Sequence, residues 1–185
     1  MDQRGLVERA RGGDHDAFAE LARAAVVRLD QAARLILRDP ELARDAVQDT
    51  LIRAWRDLPG LRDPVRFDAW LHRLLVNACK DQVRRRQRRP IEVPVLPIDH
   101  ATSVDDLGRL VDRDELERAF LELSVEQRAA LVLTHYVGLS APEIAAILGI
   151  PAGTVHSRLH YGARAMRSAI AGPPGTPSTS PEPGR

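Results

Sequence analysis

The stretch Leu139–Arg167, LSAPEIAAILGIPAGTVHSRLHYGARAMR, constrains the fold of this chain more than any other. Ser140 followed by Glu143 has capping-box spacing, and Pro142 falls in the first turn, where a backbone N–H would lack a helical partner. Ile144, Ala145, Ile147 and Leu148 then supply one apolar face. Gly149 provides the left-handed residue that ends a helix, and Ile150 plugs the angle before the next one. A second helix follows, with Val155, Leu159, Ala163, Met166 and Ile170 on its buried stripe. Small Ala145 suits the point where two steeply crossed helices touch. His156, Ser157, His160, Tyr161 and Arg164 are left facing outward. The pattern is that of a helix-turn-helix whose second helix enters a DNA groove. On this segment alone, a plain helical hairpin of an all-α protein stays open as the alternative.

The rest of the chain also reads as helix. Ala, Leu and Arg dominate, aromatics make up 4% of the 185 residues, and β-branched runs are scarce. Net charge is only +1, so no global excess of positive charge announces a nucleic-acid partner; its distribution is more telling. Arg84, Arg85, Arg86, Arg88 and Arg89 crowd behind Lys80, the only lysine. Asp99, Asp105, Asp106, Asp112, Asp114, Glu115 and Glu117 fill a later stretch. A basic block followed by an acidic one points to a binding face and a solvated connector. The sole cysteine, Cys79, has no partner for an internal disulfide, and no Cys/His ligand set is spaced for zinc. No run of about 18 apolar residues occurs, and the N-terminus lacks an apolar signal core. A soluble, cytoplasmic protein without membrane insertion, cofactor or metal is the expectation.

Periodicity predicts helices from about Leu6 to Arg11, Asp16 to Leu37, Glu41 to Leu58 and Arg66 to Arg88. Pro90, Pro94 and Pro97 then break the pattern, and 90–111 reads as an acidic, proline-containing flexible linker. Periodicity returns at Asp112 with Leu116, Ala119, Phe120 and Leu123; Ser124 and Gln127 then cap a helix that ends at Gly138. The last residues, 172–185, have no apolar content and read as a disordered tail. The expected fold is all-α: a domain over 1–89 and a helix-turn-helix domain over 112–171, joined by that linker.

The fourth helix holds a second informative pattern. Trp70, Leu71, Leu74, Leu75 and Ala78 form its apolar face, and Arg73, Asn77, Lys80, Asp81 and Arg84 share the opposite one. An amide beside guanidinium groups on one face can contact phosphates and base edges together. Five arginines in the six positions 84–89 exceed what helix-dipole compensation asks for.

Three motifs, in order, resemble the extracytoplasmic-function (group 4) sigma factors of the sigma-70 family. Asp45-Ala-Val-Gln48-Asp49-Thr-Leu-Ile-Arg53-Ala-Trp55 resembles region 2.2. The Phe67–Arg86 pattern resembles regions 2.3 and 2.4, and Leu123–Arg167 resembles region 4. The resemblance implies a factor that binds core RNA polymerase, through its β′ clamp and β flap, and promoter DNA. It implies an anti-sigma factor as a further partner. Asp45, Gln48, Asp49 and Arg53 would then contact the polymerase. Arg62, Asp63, Arg66, Arg73, Asn77, Lys80, Asp81, Arg84, Arg85 and Arg86 would melt and read the −10 element, with Arg62, Asp63 and Arg66 around a flipped base. Thr154, His156, Ser157, Arg158, His160, Tyr161 and Arg164 would read the −35 element. Many relatives carry a basic residue where His156 or Tyr161 stands, and Gly162 is a poor helix former in that interior; both departures lead to an expectation of weaker or unusual −35 recognition.

Two rival readings exist. A helix-turn-helix regulator would use 1–89 as an effector or dimerisation domain. An enzyme would need a nucleophile–base arrangement, a Gly-rich phosphate loop or a metal set, and the sequence has none; no catalytic residue is expected.

Overall fold

The computed structural model describes residues 2–88 and 117–170, with the side chains of 169 and 170 left out. Among the described residues all regular structure is helical. Asp2, Asp14 and Asp39 each stand just ahead of a helix and accept hydrogen bonds from its first-turn N–H groups. They start α1 (Gln3–Arg11), α2 (His15–Leu37) and α3 (Pro40–Asp57), with Pro40 at the first helical position. Gly13, at φ 93, makes the left-handed turn between α1 and α2, and Arg9 pairs with Asp14 across it at 2.7 Å. Two short 3₁₀ turns, Leu58–Gly60 and Pro64–Arg66, lead into α4 (Phe67–Arg88). Each observed boundary lies close to the one read from the sequence; α1 begins three residues earlier because Asp2 caps it.

Helices α1–α4 close around a core of Leu6, Val7, Leu21, Leu29, Ile36, Leu58, Phe67, Leu71, Leu75 and Val76. Small side chains are buried on both α2 and α3: Ala32, Ala33, Ala43, Ala46 and Ala54 are each 1% exposed or less. Burying the larger aliphatics contributes about 1.5–3 kcal/mol each. Thr50, absent from the predicted apolar face, is fully buried because its hydroxyl donates to the Ala46 carbonyl at 2.6 Å.

The C-terminal module begins with helical residues 117–122, here α5, followed by α6 (Val125–His135), α7 (Ala141–Leu148) and α8 (Ala152–Ile170). Ser124 and Gln127 exchange the two bonds of a capping box, at 3.2 and 2.9 Å. At Ser140 the geometry is a variant: its N–H and its hydroxyl both donate to Glu143, at 2.8 and 2.5 Å, which holds that carboxyl below its ordinary range. Gly149 has φ 64, the left-handed stop expected of it. Ile144 and Val155 are fully buried, Leu159, Ala163 and Met166 half-buried, and Ile170 lies outside the described side chains.

The proposed linker 90–111 and tail 172–185 lie outside the described residues. What the sequence did not anticipate is that the two modules share one core. Ala129, Val132, Leu133, Ile144 and Val155 are continuous with the buried residues of α1–α4. Helices α6 and α7 pack on α2 and α4.

Candidate nucleic-acid and polymerase interface

Helices α3 and α4 run side by side and are tied by polar pairs spaced along both. Arg53 donates to Asp81 at 2.9 Å, Arg85 to Asp49 at 3.1 Å, and Arg86 to Asp39 at 2.9 Å. Gln82, 6% exposed, adds a bond to Asp49 at 3.3 Å. Asp49 and Arg53 therefore face α4, and do not share one outward face with Gln48 as helical spacing suggested. Asp45 and Gln48 are exposed. Gln48 lines an open groove of about 370 Å³ between α2 and α3, with Val26, Asp30, Arg44, Val47, Leu51 and Ile52. Ile52 at its edge and nearby Val27 on α2 are 57% and 62% exposed, large apolar side chains without cover. Sequence reasoning missed both; the signal was an apolar residue on the polar side of each helix.

On α4, Arg73, Asn77 and Arg84 are exposed, as the spacing predicted. Lys80 is half-buried, and burial together with the Arg158 charge lowers its ammonium pKa, against an opposing pull from Glu126. Phe67 is 2% exposed and belongs to the core, so it is not a stacking platform in this arrangement; half-buried Trp70 leans on it with ring centroids 6.0 Å apart. In the loop before α4, Asp63 spends a carboxylate oxygen on the Val65 N–H at 3.0 Å and lies 4.0 Å from Arg66. Arg62 and Arg66 are exposed around Val65, which at 75% is the most exposed large hydrophobic residue described.

Helix α8 presents His156, Ser157, His160, Tyr161 and Arg164 to solvent, while buried Val155 anchors it. His160 and Tyr161 meet edge to face at 5.8 Å. Ser157 donates its hydroxyl to the Gly153 and Thr154 carbonyls, at 2.9 and 3.1 Å, which leaves its lone pairs to accept from a base or sugar. The N–H groups of Thr154 and Val155 both donate to the Pro151 carbonyl. The amides of Ala152 and Gly153 are left ahead of the helical ladder as donors for a phosphate. Arg158 is half-buried rather than outward, and its Nη1 is buried without a hydrogen-bond partner.

Gly162 has a reason to be glycine. A Cβ there would lie 3.0 Å from Leu131 Cδ1, so its absence lets α8 approach α6 closely. The price in helix propensity is about 1 kcal/mol, and the residue belongs to packing rather than to the recognition face. Cys79 is fully buried and its thiol is pushed up to about 12 by desolvation, which makes it inert. Among the described residues no three His, Cys, Asp or Glu side chains group to hold a metal, and no helix is long and apolar enough to cross a membrane.

Comparison with known proteins bears on both modules. Residues 21–89 match the family model for Sigma-70 region 2, and residues 113–166 match that for Sigma-70, region 4. The ECF RNA polymerase sigma factor SigM of Mycobacterium tuberculosis is 38% identical over 147 residues, covering 79% of this chain and 73% of the relative. The RNA polymerase sigma-H factor of Pseudomonas aeruginosa is 31% identical over 177 residues, covering 89% and 92%. Among solved structures, CnrH in complex with the cytosolic domain of CnrY matches at 30% identity with a TM-score of 0.64, over 89% of this chain and 94% of that one. The sigma factor RpoE of Bartonella quintana, in complex with the anti-sigma factor NepR, matches at 27% identity and a TM-score of 0.63, over 83% and 96%. The match over 21–89 decides against an unrelated effector or dimerisation domain in the N-terminal half.

Proposed function

The chain belongs to the extracytoplasmic-function group of the sigma-70 family, and from that premise we propose how its surfaces divide the work of directing transcription initiation. The α2–α3 groove receives the core polymerase: Gln48 and Asp45 give it polarity, and uncovered Ile52 and Val27 give it an apolar anchor. Asp49 and Arg53 act one step back, holding α4 against α3. The exposed side of α4, with Arg73, Asn77 and Arg84, reads and positions the −10 region. The loop with Arg62, Asp63, Val65 and Arg66 receives a base taken from the stack, where Asp63 also fixes the loop's shape. Arg85 and Arg86 keep their positive charge near DNA while paired to Asp49 and Asp39. On α8, His156, Ser157 and Tyr161 reach −35 base edges, with Thr154, Arg158, His160 and Arg164 on phosphates and groove walls.

The domain division follows the same reading: 1–89 for the polymerase and the −10 region, 90–111 as connector, 112–171 for the −35 region, 172–185 as tail. The protein acts as a non-enzymatic initiation factor in the cytoplasm. The resemblance to CnrH and RpoE, both solved with a protein bound, supports an anti-sigma factor as a partner.

The observation that carries this reading is the recognition helix, on which His156, Ser157, His160, Tyr161 and Arg164 are exposed while Val155 is fully buried beneath them. Run-off transcription on a genomic promoter library with core polymerase, with and without the protein, tests it. Promoter-specific transcripts should appear only when both are present. Specific DNA binding without core, and no transcript with it, would instead favour an ordinary helix-turn-helix regulator.

A further inference from the structure

We propose that Asp39, Asp49 and Asp81 are built-in competitors for DNA phosphate. They engage Arg86, Arg85 and Arg84 in the free chain and so hold down its sequence-independent binding to DNA. The inference rests on the reading of α4 as the −10 helix. It adds the residues that set how firmly that helix takes up DNA lacking the right bases.

Helix α4 ends in the densest run of positive charge in the chain, and each arginine of positions 84–86 has a carboxylate in reach. Arg85 donates to Asp49 at 3.1 Å and Arg86 to Asp39 at 2.9 Å. Arg84 lies 4.0 Å from one oxygen of Asp81, whose other oxygen accepts from Arg53 at 2.9 Å. Part of this pattern repeats with the signs exchanged. Helix α3 carries Asp49 and Arg53 four residues apart, and α4 carries Arg85 and Asp81 four residues apart, so the antiparallel helices meet acid to base twice.

The acids are held and the arginines are not. Arg85 and Arg86 keep 58% and 63% of their side chains exposed, while Asp49 and Asp39 are exposed by 29% and 30%. The second oxygen of Asp39 accepts from the Glu41 and Leu42 N–H groups, and Asp49 also accepts from buried Gln82. A guanidinium can therefore swing to a phosphate while its carboxylate stays behind on α3. Ion pairs this open are weak, so the exchange is accessible. The carboxylate left beside the DNA then gathers a cation, which cancels one counterion released by the new contact. Each pair thus subtracts from affinity wherever the chain lies on DNA. Core polymerase and the base contacts of the −10 element supply binding that random sequence lacks, so the productive complex tolerates a subtraction that the random one cannot.

Fluorescence anisotropy of a random-sequence duplex, titrated with the free full-length chain from about 50 to 200 mM salt, tests this. Asp49→Asn keeps an oxygen for Gln82, and Asp39→Asn keeps the cap of α3, since asparagine caps as well as aspartate. Each should tighten binding about two- to fivefold and steepen the dependence of log K on log salt by about one. Glu8→Gln removes the same charge from an ion pair on α1 and should leave the slope where it was. Asp49→Asn/Arg85→Gln should return affinity and slope to the parent values, which a role in stability alone would not do. In run-off transcription with core polymerase, random competitor DNA should halve the yield at a lower concentration for Asp49→Asn than for the parent, by about twofold or more. An unchanged or shallower slope in either aspartate variant that keeps its helical circular dichroism would overturn the proposal. So would a gain that persists in Asp49→Asn/Arg85→Gln, a gain matched by Glu8→Gln, or unaltered sensitivity to competitor. Failure of every form to support transcription would instead count against the functional reading, while the anisotropy would still decide whether these carboxylates restrain DNA binding.

Discussion

The two modules use their charges differently. In α1–α4 the charged residues that look from sequence like a binding surface are largely engaged in folding: Asp49 with Arg85, Asp39 with Arg86, Asp81 with Arg53. In α5–α8 the exposed residues of the recognition face stay clear of such pairs, and the polar work of folding is done by caps, at Ser124 with Gln127 and Ser140 with Glu143, and by buried Arg128 on backbone carbonyls. A paired cation still attracts phosphate, but it is fixed in place and part of its field is cancelled. The N-terminal module therefore offers a preset platform with few exposed readers, Arg73, Asn77 and Arg84, the last of them 4.0 Å from Asp81. The C-terminal module offers a readout that its own fold does not need.

The largest expected effect tests whether the modules are separable at all. Ile144→Ala removes a fully buried side chain from the C-terminal module and should cost about 2–5 kcal/mol. Both tryptophans, Trp55 and Trp70, lie in the N-terminal module. If the shared core couples the two, urea unfolding followed by tryptophan fluorescence should shift to a lower midpoint in Ile144→Ala. An unchanged midpoint would show that each module unfolds alone. Next comes the helix crossing within the C-terminal module. Gly162→Leu should cost about 1–3 kcal/mol by overpacking against Leu131, seen as a lower melting temperature by circular dichroism. No loss there would return Gly162 to the recognition face.

A smaller effect sharpens the account of the platform. A double-mutant cycle with Asp49→Asn and Arg85→Gln should give a coupling of about 0.2–1 kcal/mol in stability, since both partners are partly solvated. Zero coupling would free Asp49 for the polymerase. The smallest expected effect concerns His72. Burial pushes its pKa below the ordinary 6.5, against the opposing hydrogen bond to the Asp68 carbonyl, so folding disfavours the charged ring. The unfolded chain then binds the proton more tightly, and stability is lost as pH falls below about 6.5. His72→Gln should flatten that dependence in denaturant melts between pH 7 and about 5; an unaltered slope would assign it to other groups.

Much of this was legible in the sequence, for local reasons. Asp14, Asp39, Ser124 and Ser140 fix helix starts within a residue or two, and Gly149 fixes a stop, because each acts on backbone groups three or four residues away. The outward set on α8 followed from one buried residue, Val155, and helical geometry. What stayed hidden depends on how helices meet. Arg85 finds Asp49 36 residues away, and Arg128 finds Ile36 92 residues away. Helical spacing placed Asp49 and Arg53 beside Gln48, yet the orientation of α3 against α4 turned them toward a neighbour. Gly162 read as a flaw because the close approach of Leu131 is a tertiary fact.

The division of labour between the modules is tested most directly by promoter selection. Core polymerase carrying the wild-type protein, Asn77→Ala or His156→Ala would each select bound promoters from a library randomised at both elements. Each lost base contact should relax preference by about 1–3 kcal/mol at one base pair. Asn77→Ala should change only the −10 preference and His156→Ala only the −35 preference, with the other element untouched. Identical selected sequences for all three proteins, or a −10 change from His156→Ala, would contradict the assignment of one element to each module.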